Sequence, residues 1–596
     1  MARNAIRQDE ELNEHTNLEI IKRLLKYLKP FKSKVTIVIL LMVYVMICDI
    51  INPYLLKRAI DVNIGHKDIQ GLLVIGAVIL VLNYFALLSS RGRINIMASI
   101  TNNILVNIRH ELYTHIQKLS FSFFDSRPVG KVLARVVGDV NALQDLFNNC
   151  VTSFIPELLS LVFVAIAMFS LNYKLALVTI ILLPFLASAM FFIETKSRLR
   201  WQVHRKKRSN LNAFTHENFS GMRIVQGFAE EKHASDTFKT LVTEMMNAFI
   251  HAVKLNDLFW PLVELSWGTG SILVFWFSVH LLNINNGITV GTIIAFSMYI
   301  GMFWRPIMNI SNFYNTLITN FAAADRIFEI MDIDPDILDS ADVKKMPKIK
   351  GNVEFKNVDF CYEDDVKVLD NISFKVNAGE TIALVGPTGA GKTTIVNLIS
   401  RFYDVTSGKV LIDDHNVSDV ELESLRSQMG IMLQDTFMFS DTIMENIRYG
   451  RLDATDEEVI AAAKAVNAHS FITRLPNGYS TDVNERGSRL SVGQRQLISF
   501  ARALLANPRI LILDEATSNI DTATERLVQN GIQKLLHGRT SFVIAHRLST
   551  IRDADKIMVI QDGEIAEAGS HDELIKLKGI YYNLYMSQYK FLNEGA

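Results

Sequence analysis

Six long apolar runs occupy the first half of the chain. The hydrocarbon layer of a bilayer is ~30 Å thick, so an α-helix needs roughly 20 apolar residues to cross it. The runs that meet this length lie near residues 34–56, 71–90, 151–171, 174–193, 258–282 and 288–310, and none follows them. The pattern predicts a membrane all-α domain of six transmembrane helices over residues 34–330.

The connections between these runs are alternately short and long. The gaps after the second and fourth runs reach about sixty residues and keep a helical spacing of apolar positions. Helices that continue ~25 residues beyond the bilayer would reach ~40 Å. Residues 196–208 carry seven Lys or Arg, whereas two of the short loops carry one between them. Because basic connections stay in the cytoplasm, we expect a multi-pass protein of the cytoplasmic membrane, with its N terminus and long gaps on the cytoplasmic side.

Residues 1–33 are charged throughout and lack the compact apolar core of a cleaved signal peptide. One helical face in this region carries Ile20, Ile21, Leu24, Leu25 and Leu28. The pattern favours a cytoplasmic helix that lies in the membrane surface ahead of the first span. An ordinary packing helix shows the same pattern, so that interpretation stays open.

The pattern changes at about Gly351. Short β-type runs such as TIALVG and RILILDEA alternate with helical stretches over residues 351–596. Buried parallel strands have this near-continuous apolar character, so the second domain is predicted to be α/β. Residues 331–350 have no sustained apolar period and are interpreted as a linker.

Composition narrows the possible partners. The 596 residues are 49% apolar and 21% charged, which fits a membrane domain joined to a soluble one. A net charge of −1 gives no basic excess for neutralising phosphates, so no nucleic-acid partner is expected and the lipid bilayer is. Cys48, Cys150 and Cys361 lie far apart in sequence and fit neither a metal site nor a disulfide framework.

A glycine-rich loop stands between the predicted strand TIALVG and the predicted helix TTIVNLISRF. It reads GPTGAGKTT over residues 386–394, the pattern of a P-loop, and the flanking strand and helix disfavour a chance match. In such loops, backbone N–H groups hold phosphates, the lysine reaches the outer phosphates and the following hydroxyl ligates Mg²⁺. The residues predicted to bind ATP are Gly386, Thr388, Gly389, Gly391, Lys392, Thr393 and Thr394, with Thr393 also on Mg²⁺. The second domain is thus predicted to be a P-loop NTPase nucleotide-binding domain.

Two further strands end in residues suited to hydrolysis. RILILDEA ends in Asp514, which can hold Mg²⁺, and Glu515, which can orient or deprotonate the attacking water. A solvated acidic strand end is the alternative, but four apolar residues drive this strand into the sheet. TSFVIAHRLST places His546 after another apolar strand. A lone histidine is more often structural, but one that accompanies a P-loop and an acidic pair is a candidate sensor of the γ-phosphate.

A second stretch, NERGSRLSVGQRQLISFARALL at residues 484–505, also has the form of a phosphate-holding loop that opens a helix. One nucleotide should need only one such device. With these residues the sequence resembles the ATP-binding cassette exporters, in which six spans and one nucleotide-binding domain form a single chain. The resemblance covers nearly the whole length.

The stretch LSVGQ, which begins at Leu490, matches the signature of that family. The resemblance implies that Ser491, Gly493 and Gln494 bind the γ-phosphate of an ATP held by the P-loop of a second, facing domain. It also implies that Tyr362 stacks on adenine, that Gln434 contacts Mg²⁺ or water, and that Asp521 reaches the opposing site. Residues 123–140 and 217–238 resemble the two cytoplasmic loops whose short turns sit on the nucleotide-binding domains.

The resemblance therefore implies a second half-transporter, by preference an identical one. Val492 stands where many family members have Gly, and its branched side chain removes φ > 0 freedom, so a heterodimer with a degenerate second ATP site stays open. The implied function is ATP-driven export of amphipathic substrates (drugs, lipids or peptides) by alternating access. Soluble ATP-binding cassette proteins of repair or translation lack membrane spans, and a gated channel could dispense with Glu515.

Charged residues inside predicted spans need an explanation because intramembrane charge is costly. Glu157, Glu264 and Arg305 fall at similar depth in the cytoplasmic third, whereas Asp49 lies in the first run. We hypothesise that the three line a cavity and favour amphipathic or cationic cargo. The simpler alternative is that they form a structural ion pair or extend their side chains to water.

Overall fold

The structure is a computed structural model of the chain. It describes residues 16–149, 152, 154–181, 183–283, 288–339, 343–362, 366–432, 436–514, 522–544 and 551–593. The chain divides into two compact units. The first comprises residues 1–117 and 128–333, and the second comprises residues 118–127 and 334–596.

The first part of the chain folds into helices. They are α1 (Asn17–Leu28), α2 (Lys32–Arg58), α3 (Ile69–Lys118), α4 (Phe121–Ser126), α5 (Val129–Ala134), α6 (Val140–Asn149), α7 (Ile155–Leu171), α8 (Tyr173–Ile180), α9 (Leu183–Ser220), α10 (Met222–Gly227), α11 (Glu231–Asn256), α12 (Phe259–Asn283) and α13 (Val290–Met331). Of these, α4 belongs to the second unit.

Membrane-spanning character is concentrated where the apolar runs predict it. Among the described residues, the helical segments long and apolar enough to cross a membrane are Asn17–Ile64, Ile69–Lys118 and Glu231–Val279. Two shorter apolar helices are Ile155–Leu171 and Val290–Trp304. The remaining predicted run, 174–193, is shared between α8 and α9.

The predicted helical extensions are confirmed. Helix α3 has 50 residues and α9 has 38, both far longer than a bilayer requires. Helix α13, which contains the sixth run, has 42 residues, a length that the gaps did not predict. Helices α9 and α11 lie side by side, joined by an ion pair between Lys207 and Glu244 at 2.6 Å. The Arg200 guanidinium adds a 2.9 Å hydrogen bond to the carbonyl of His251.

Helix α1 packs with one side and exposes the other. Its first turn is closed by a capping box between Thr16 and Glu19. The side chains of Ile20 and Leu24 are buried and Leu28 is half-buried, while three other large apolar side chains are exposed. Those exposed residues are Leu18, Ile21 and Leu25. Packing contacts and an apolar outer surface thus coexist, as an interfacial helix requires.

The end of α2 is attached to the start of α13. Asp61, in the turn after α2, accepts a 2.8 Å hydrogen bond from the backbone N–H of Gly291. Its second carboxylate oxygen accepts a hydrogen bond from the Thr289 hydroxyl, which also caps α13. Deeper along the same pair of helices, the Tyr299 hydroxyl donates to the carbonyl of Ile50 at 2.5 Å.

The second unit contains two sheets and their covering helices. The strands are β1 (Val353–Cys361), β2 (Lys367–Val376), β3 (Thr381–Val385), β4 (Ser407–Ile412), β5 (His415–Asn416), β6 (Met429–Met432), β7 (Ile510–Asp514), β8 (Thr540–Ile544), β9 (Lys556–Gln561) and β10 (Glu564–Gly569). The helices are α14 (Lys392–Ile399), α15 (Leu422–Arg426), α16 (Ile443–Arg448), α17 (Asp456–Ala465), α18 (His469–Ile472), α19 (Val492–Ala506), α20 (Thr522–Leu536), α21 (His571–Leu577) and α22 (Ile580–Asn593).

The larger sheet has the order β10-β9-β3-β8-β7-β6 and is parallel except for β10. The five parallel strands are largely buried because alternate residues enter two different cores. In β3, for example, Ala383 faces the core beneath α19 and α20, whereas Leu384 faces the core shared with the antiparallel sheet β2-β1-β4-β5. The strands β3, β8 and β7 therefore end at one edge of the sheet, which positions the residues that follow them.

Most of the segment interpreted as a linker lies on the second unit. Residues 334–339 and 343–350, here called the strap, group with that unit. Met346 and Ile349 are buried in its core. Their backbone N–H groups donate to Ser424 and Gln428, each at 2.8 Å.

Candidate ATP site

The predicted phosphate-binding loop follows β3 and leads into α14. Residues Gly386, Thr388 and Gly389 lie between Val385, the last residue of the strand, and the helix. Thr388 and Gly389 are exposed, as a phosphate cradle requires. The N-terminus of α14 follows the loop and adds the partial positive charge that favours phosphate.

Gly391 shows why glycine stands at the start of α14. It is the N-cap residue, and its φ of 102° lies in the left-handed region. A Cβ at this position would lie 2.6 Å from Cδ2 of Leu369 and 3.2 Å from the carbonyl oxygen of Val368. Both the backbone conformation and the neighbouring β2 strand therefore select glycine.

Lys392 lies over the loop. Its Nζ donates hydrogen bonds to the carbonyl oxygens of Gly386 and Pro387, each at 2.8 Å. Burial lowers the pKa of Lys392, and the nearby charge of Asp514 partly opposes that effect. Asp514 ends β7, so the structure brings the predicted phosphate-binding lysine and the predicted Mg²⁺-binding carboxylate to the same edge of the sheet.

The hydroxyl pair after Lys392 has two different environments. Thr393 is exposed at the first turn of α14, where it can reach a ligand. Thr394 is buried, and its hydroxyl lies 3.2 Å from the hydroxyl of Tyr362. The predicted adenine-stacking tyrosine is thus fixed to the phosphate-binding helix, while 47% of its surface remains exposed.

The signature residues occupy the start of another helix, α19. Ser491 is its N-cap, and its hydroxyl accepts a 3.3 Å hydrogen bond from the backbone N–H of Gln494. The backbone N–H of Ser491 in turn donates a 3.0 Å hydrogen bond to Oε1 of Gln494, which completes a capping box. In the part of the chain that the structure describes, neither Ser491 nor Gly493 forms a hydrogen bond with the loop 386–391.

The structure also shows residues that the sequence did not indicate. Tyr403, four residues beyond α14, donates a hydrogen bond to the carboxylate of Asp125 in α4. Its ring lies edge to face with Tyr362, with centroids 5.0 Å apart. No local pattern marks such a pair, because 278 positions separate its members.

Four predicted residues lie outside the described part of the chain. They are Gln434, Glu515, Asp521 and His546. The ends of the strands that precede Glu515 and His546 are described, and Asp514 of β7 lies opposite Ile544 of β8 in register. The assigned roles of all four residues stay predictions.

The intramembrane residues are distributed over three helices. In α7, Glu157 accepts a 2.7 Å hydrogen bond from the side-chain amide of Asn309 in α13. The side chain of Glu264 in α12 is exposed. Arg305 lies in α13, and its side chain falls outside what the structure describes.

A helical membrane unit and a P-loop unit in one chain define a membrane-bound ATPase. Comparison with known proteins identifies the class further. Residues 35–307 match the family model "ABC transporter transmembrane region", and residues 369–518 match the family model "ABC transporter". The first match covers most of the first unit, and the second covers part of the second unit.

Relatives that match over nearly their whole length support the same family. The chain is 43% identical to the uncharacterized ABC transporter ATP-binding protein YknV of Bacillus subtilis, over 98% of this chain and 96% of that protein. It is 38% identical to the ATP-dependent lipid A-core flippase of Syntrophus aciditrophicus, over 96% and 94%. The solved structure of a bacterial Atm1-family ABC exporter with ATP bound superposes with a TM-score of 0.77 at 28% identity, covering 94% of this chain and 98% of that one.

The chain therefore belongs to the ABC transporter family, in the exporter group that fuses one membrane domain to one nucleotide-binding domain. It is a membrane protein and an ATP-binding ATPase whose hydrolysis is coupled to transport. The predicted fold class, a helical transmembrane domain followed by an α/β P-loop NTPase domain, is confirmed.

Proposed function

We propose that the chain is a half-transporter that exports amphipathic substrates (drugs, lipids or peptides) across the cytoplasmic membrane, working as a dimer by alternating access. The observation that carries this proposal is the separation of two phosphate-holding devices. Lys392 and its loop lie at the start of α14, whereas Ser491 caps α19. Two such helix starts are redundant for one nucleotide in one chain, but they form a complete site when two chains face each other.

Each ATP site would combine residues of both chains, and each residue would have its own role. The loop 386–391, Lys392 and Tyr362 would bind the phosphates and base, and Ser491 of the facing chain would close over the γ-phosphate. Glu515 would orient or deprotonate the attacking water, with Gln434 and His546 beside the γ-phosphate. Asp521 would reach the opposing site.

Thr393 and Asp514 suit Mg²⁺. A hydroxyl and a carboxylate oxygen are ligands that this hard cation accepts. Thr393 follows Lys392 in the sequence, and Asp514 interacts with Lys392 electrostatically. When bound, Mg²⁺ would neutralise charge on the outer phosphates. Lys392 would share that role and help orient the triphosphate.

The turn between α9 and α11 supports a dimer. Helix α10 and its neighbours leave Phe219, Ile224 and Phe228 between 66% and 78% exposed, in a region predicted to lie in the cytoplasm. Exposed aromatic residues grouped on a soluble turn indicate a surface that another protein covers. We propose that the nucleotide-binding domain of the partner covers them, at a cavity of about 280 Å³ whose lining includes Phe437 and Tyr449.

The heterodimer remains a second candidate. Val492 is 41% exposed at the first position of α19, so its side chain would face a nucleotide held there. A branched residue at that point would weaken one site if the partner chain also departed from the signature. Expression of this chain alone separates the two candidates, because only a homodimer would then hydrolyse ATP.

Mixed dimers give the sharpest test of site sharing. Lys392→Ala removes the lysine half of a site. Ser491→Asp keeps an N-cap hydrogen bond to α19 but places negative charge against the phosphate. Two differently tagged chains, one with each substitution, would be purified together and tested for ADP trapped by vanadate after ATP hydrolysis.

If sites are shared, the mixed dimer keeps one intact site and traps ADP, while a homodimer of either variant traps none. If each chain completes its own site, the mixed dimer is as inactive as the parents, and the proposal fails. Ser491→Asn is the matched control, because it caps α19 without the charge and should leave trapping closer to wild type.

A further inference from the structure

A cluster of three aromatic rings connects the phosphate-binding helix to α4. Tyr362 lies edge to face with Phe360 and with Tyr403, at centroid distances of 4.7 and 5.0 Å and an angle of 89° in both cases. Phe360 and Tyr403 also meet, at 5.7 Å. Because Tyr362 reaches Thr394 and Tyr403 reaches Asp125, the cluster has one end at the ATP site and the other at α4.

The backbone that carries Tyr403 is held firmly. Arg401 adopts a left-handed φ of 49° and is 3% exposed. Its guanidinium donates to Asp404 at 3.0 Å and to the carbonyl of Val420 at 3.2 Å. Tyr403 is therefore presented in a fixed position by a buried, hydrogen-bonded turn.

Helix α4 and the residue before it have other contacts within the second unit, and these do not involve the ring cluster. The hydroxyls of Ser120 and Ser122 donate to Asp336 of the strap at 2.7 and 2.5 Å. Phe121 packs on Phe402, with centroids 4.6 Å apart. These contacts hold α4 whether or not a base stacks on Tyr362.

We propose that Tyr403 is a positioning residue that communicates adenine occupancy to α4 through its hydrogen bond to Asp125. This inference rests on the proposed role of Tyr362 as the adenine platform. A base stacked on Tyr362 restrains that ring, and Tyr403, whose ring leans on it edge to face, loses freedom with it. The directional hydrogen bond to a carboxylate then transfers the restraint to α4.

The phenol of Tyr403 remains a donor at neutral pH. Burial, and next the carboxylate of Asp125, raise the pKa of Tyr403 well above its ordinary value. Deprotonation therefore does not interrupt the contact in the cell's pH range.

Hydrogen–deuterium exchange of the full-length protein in lipid nanodiscs tests the inference. The readout is exchange in peptides that cover residues 118–127, with and without MgATP. In the wild type, MgATP should slow this exchange. In Tyr403→Phe and in Asp125→Ala, the ATP-dependent slowing should fall about tenfold, the loss expected for one hydrogen bond to a charged group. Combining both substitutions should add nothing, because both remove the same contact.

Tyr479→Phe is the matched control. It removes another tyrosine hydroxyl of the second unit, one that lies 2.9 Å from Nδ1 of His469, and it should behave as the wild type does. Tripolyphosphate, which has no base, should slow exchange in residues 386–394 but not in 118–127. The ATP affinity of Tyr403→Phe, measured with a fluorescent ATP analogue, should match that of the wild type.

The inference would be overturned, with the proposed function intact, by an undiminished ATP effect on 118–127 in Tyr403→Phe or by an equal loss in Tyr479→Phe. A tripolyphosphate effect on 118–127 as large as that of ATP would overturn it as well, because the base would then be irrelevant. If the wild type bound no ATP, the proposed function would fail together with the inference.

Discussion

The backbone N–H of Gly291 and the carboxylate of Asp61 form a 2.8 Å hydrogen bond that joins the start of α13 to the turn after α2. Asp61→Ala should lower the thermal unfolding temperature of the detergent-solubilised protein, because hydrogen bonds to a charged group contribute about 1.5–3 kcal/mol each. The unfolding temperature of Asp61→Asn should lie between those of the wild type and Asp61→Ala, since its amide keeps one acceptor oxygen.

The same contact can be disrupted from the other side. A Cβ added at Gly291 would lie 2.6 Å from Oδ1 of Asp61 and from the carbonyl of Lys57. Gly291→Ala should therefore destabilise the protein at least as much as Asp61→Asn does. Asp453→Ala, at a side chain that is 87% exposed, is the control, and an equal shift there would contradict the assignment.

At the ATP site, Gly391→Ala should abolish nucleotide binding. The left-handed φ of Gly391 costs an L-residue about 1–2 kcal/mol, and the added methyl group would also meet Leu369 at 2.6 Å. Gly379→Ala provides a matched control: its φ of 86° is also left-handed, but nothing lies within 4 Å of the added atom. ATP affinity and yield of folded protein should separate the two variants, and equal losses would show that backbone strain alone decides.

Glu515→Gln should abolish vanadate-sensitive ATP hydrolysis while ATP still binds. The amide is nearly isosteric with the carboxylate but cannot take a proton from water. Full turnover in this variant would remove Glu515 from its proposed role. The measurement needs purified protein in lipid, with binding and hydrolysis determined on the same sample.

The contact between α4 and the strap, through Asp336, should depend on pH. Hydrogen bonds from Ser122 and Ser120 hold the pKa of Asp336 below its ordinary value. A carboxyl whose pKa is depressed in the folded state adds stability above its unfolded pKa of about 3.9, and loses it as pH falls through the folded value. The protection of residues 118–127, measured as exchange relative to the intrinsic rate at each pH, should thus fall as pH falls below about 4. Asp336→Asn should remove that dependence, and an unchanged profile would exclude Asp336 as its source.

Cargo selectivity tests the intramembrane carboxylates. Glu264 has an exposed side chain in α12, whereas Glu157 is already hydrogen-bonded to Asn309. We therefore expect Glu264→Gln to reduce transport of a cationic dye and to spare a neutral one. Glu157→Gln should affect both dyes alike through packing, since it serves a structural contact. Unchanged selectivity in Glu264→Gln would end the cargo hypothesis.

Features that depend on sequence-local physics could be predicted. The six apolar runs follow from the thickness of the bilayer, and the loop before Lys392 follows from a strand–loop–helix pattern that the structure reproduces. Contacts between distant positions could not be predicted. Asp61 and Gly291 are 230 positions apart, and neither belongs to a motif.

The strap illustrates a different limit. Its buried residues Ile337, Met346 and Ile349 are spaced irregularly, so they produce no helical or strand period. Met346 and Ile349 are held separately, through backbone hydrogen bonds to the side chains of Ser424 and Gln428. A search for periodicity therefore classes this segment with linkers, although it covers part of the core.

That covering role decides where the catalytic half could be cut free for study. Cleavage before Gly351 would strip Met346 and Ile349 from the core and leave the side chain of Ser424 without the backbone group it accepts from. A cut near Asp334 would keep these groups in place. A water-soluble ATPase fragment should accordingly start near Asp334, because a shorter fragment would expose apolar surface and tend to precipitate.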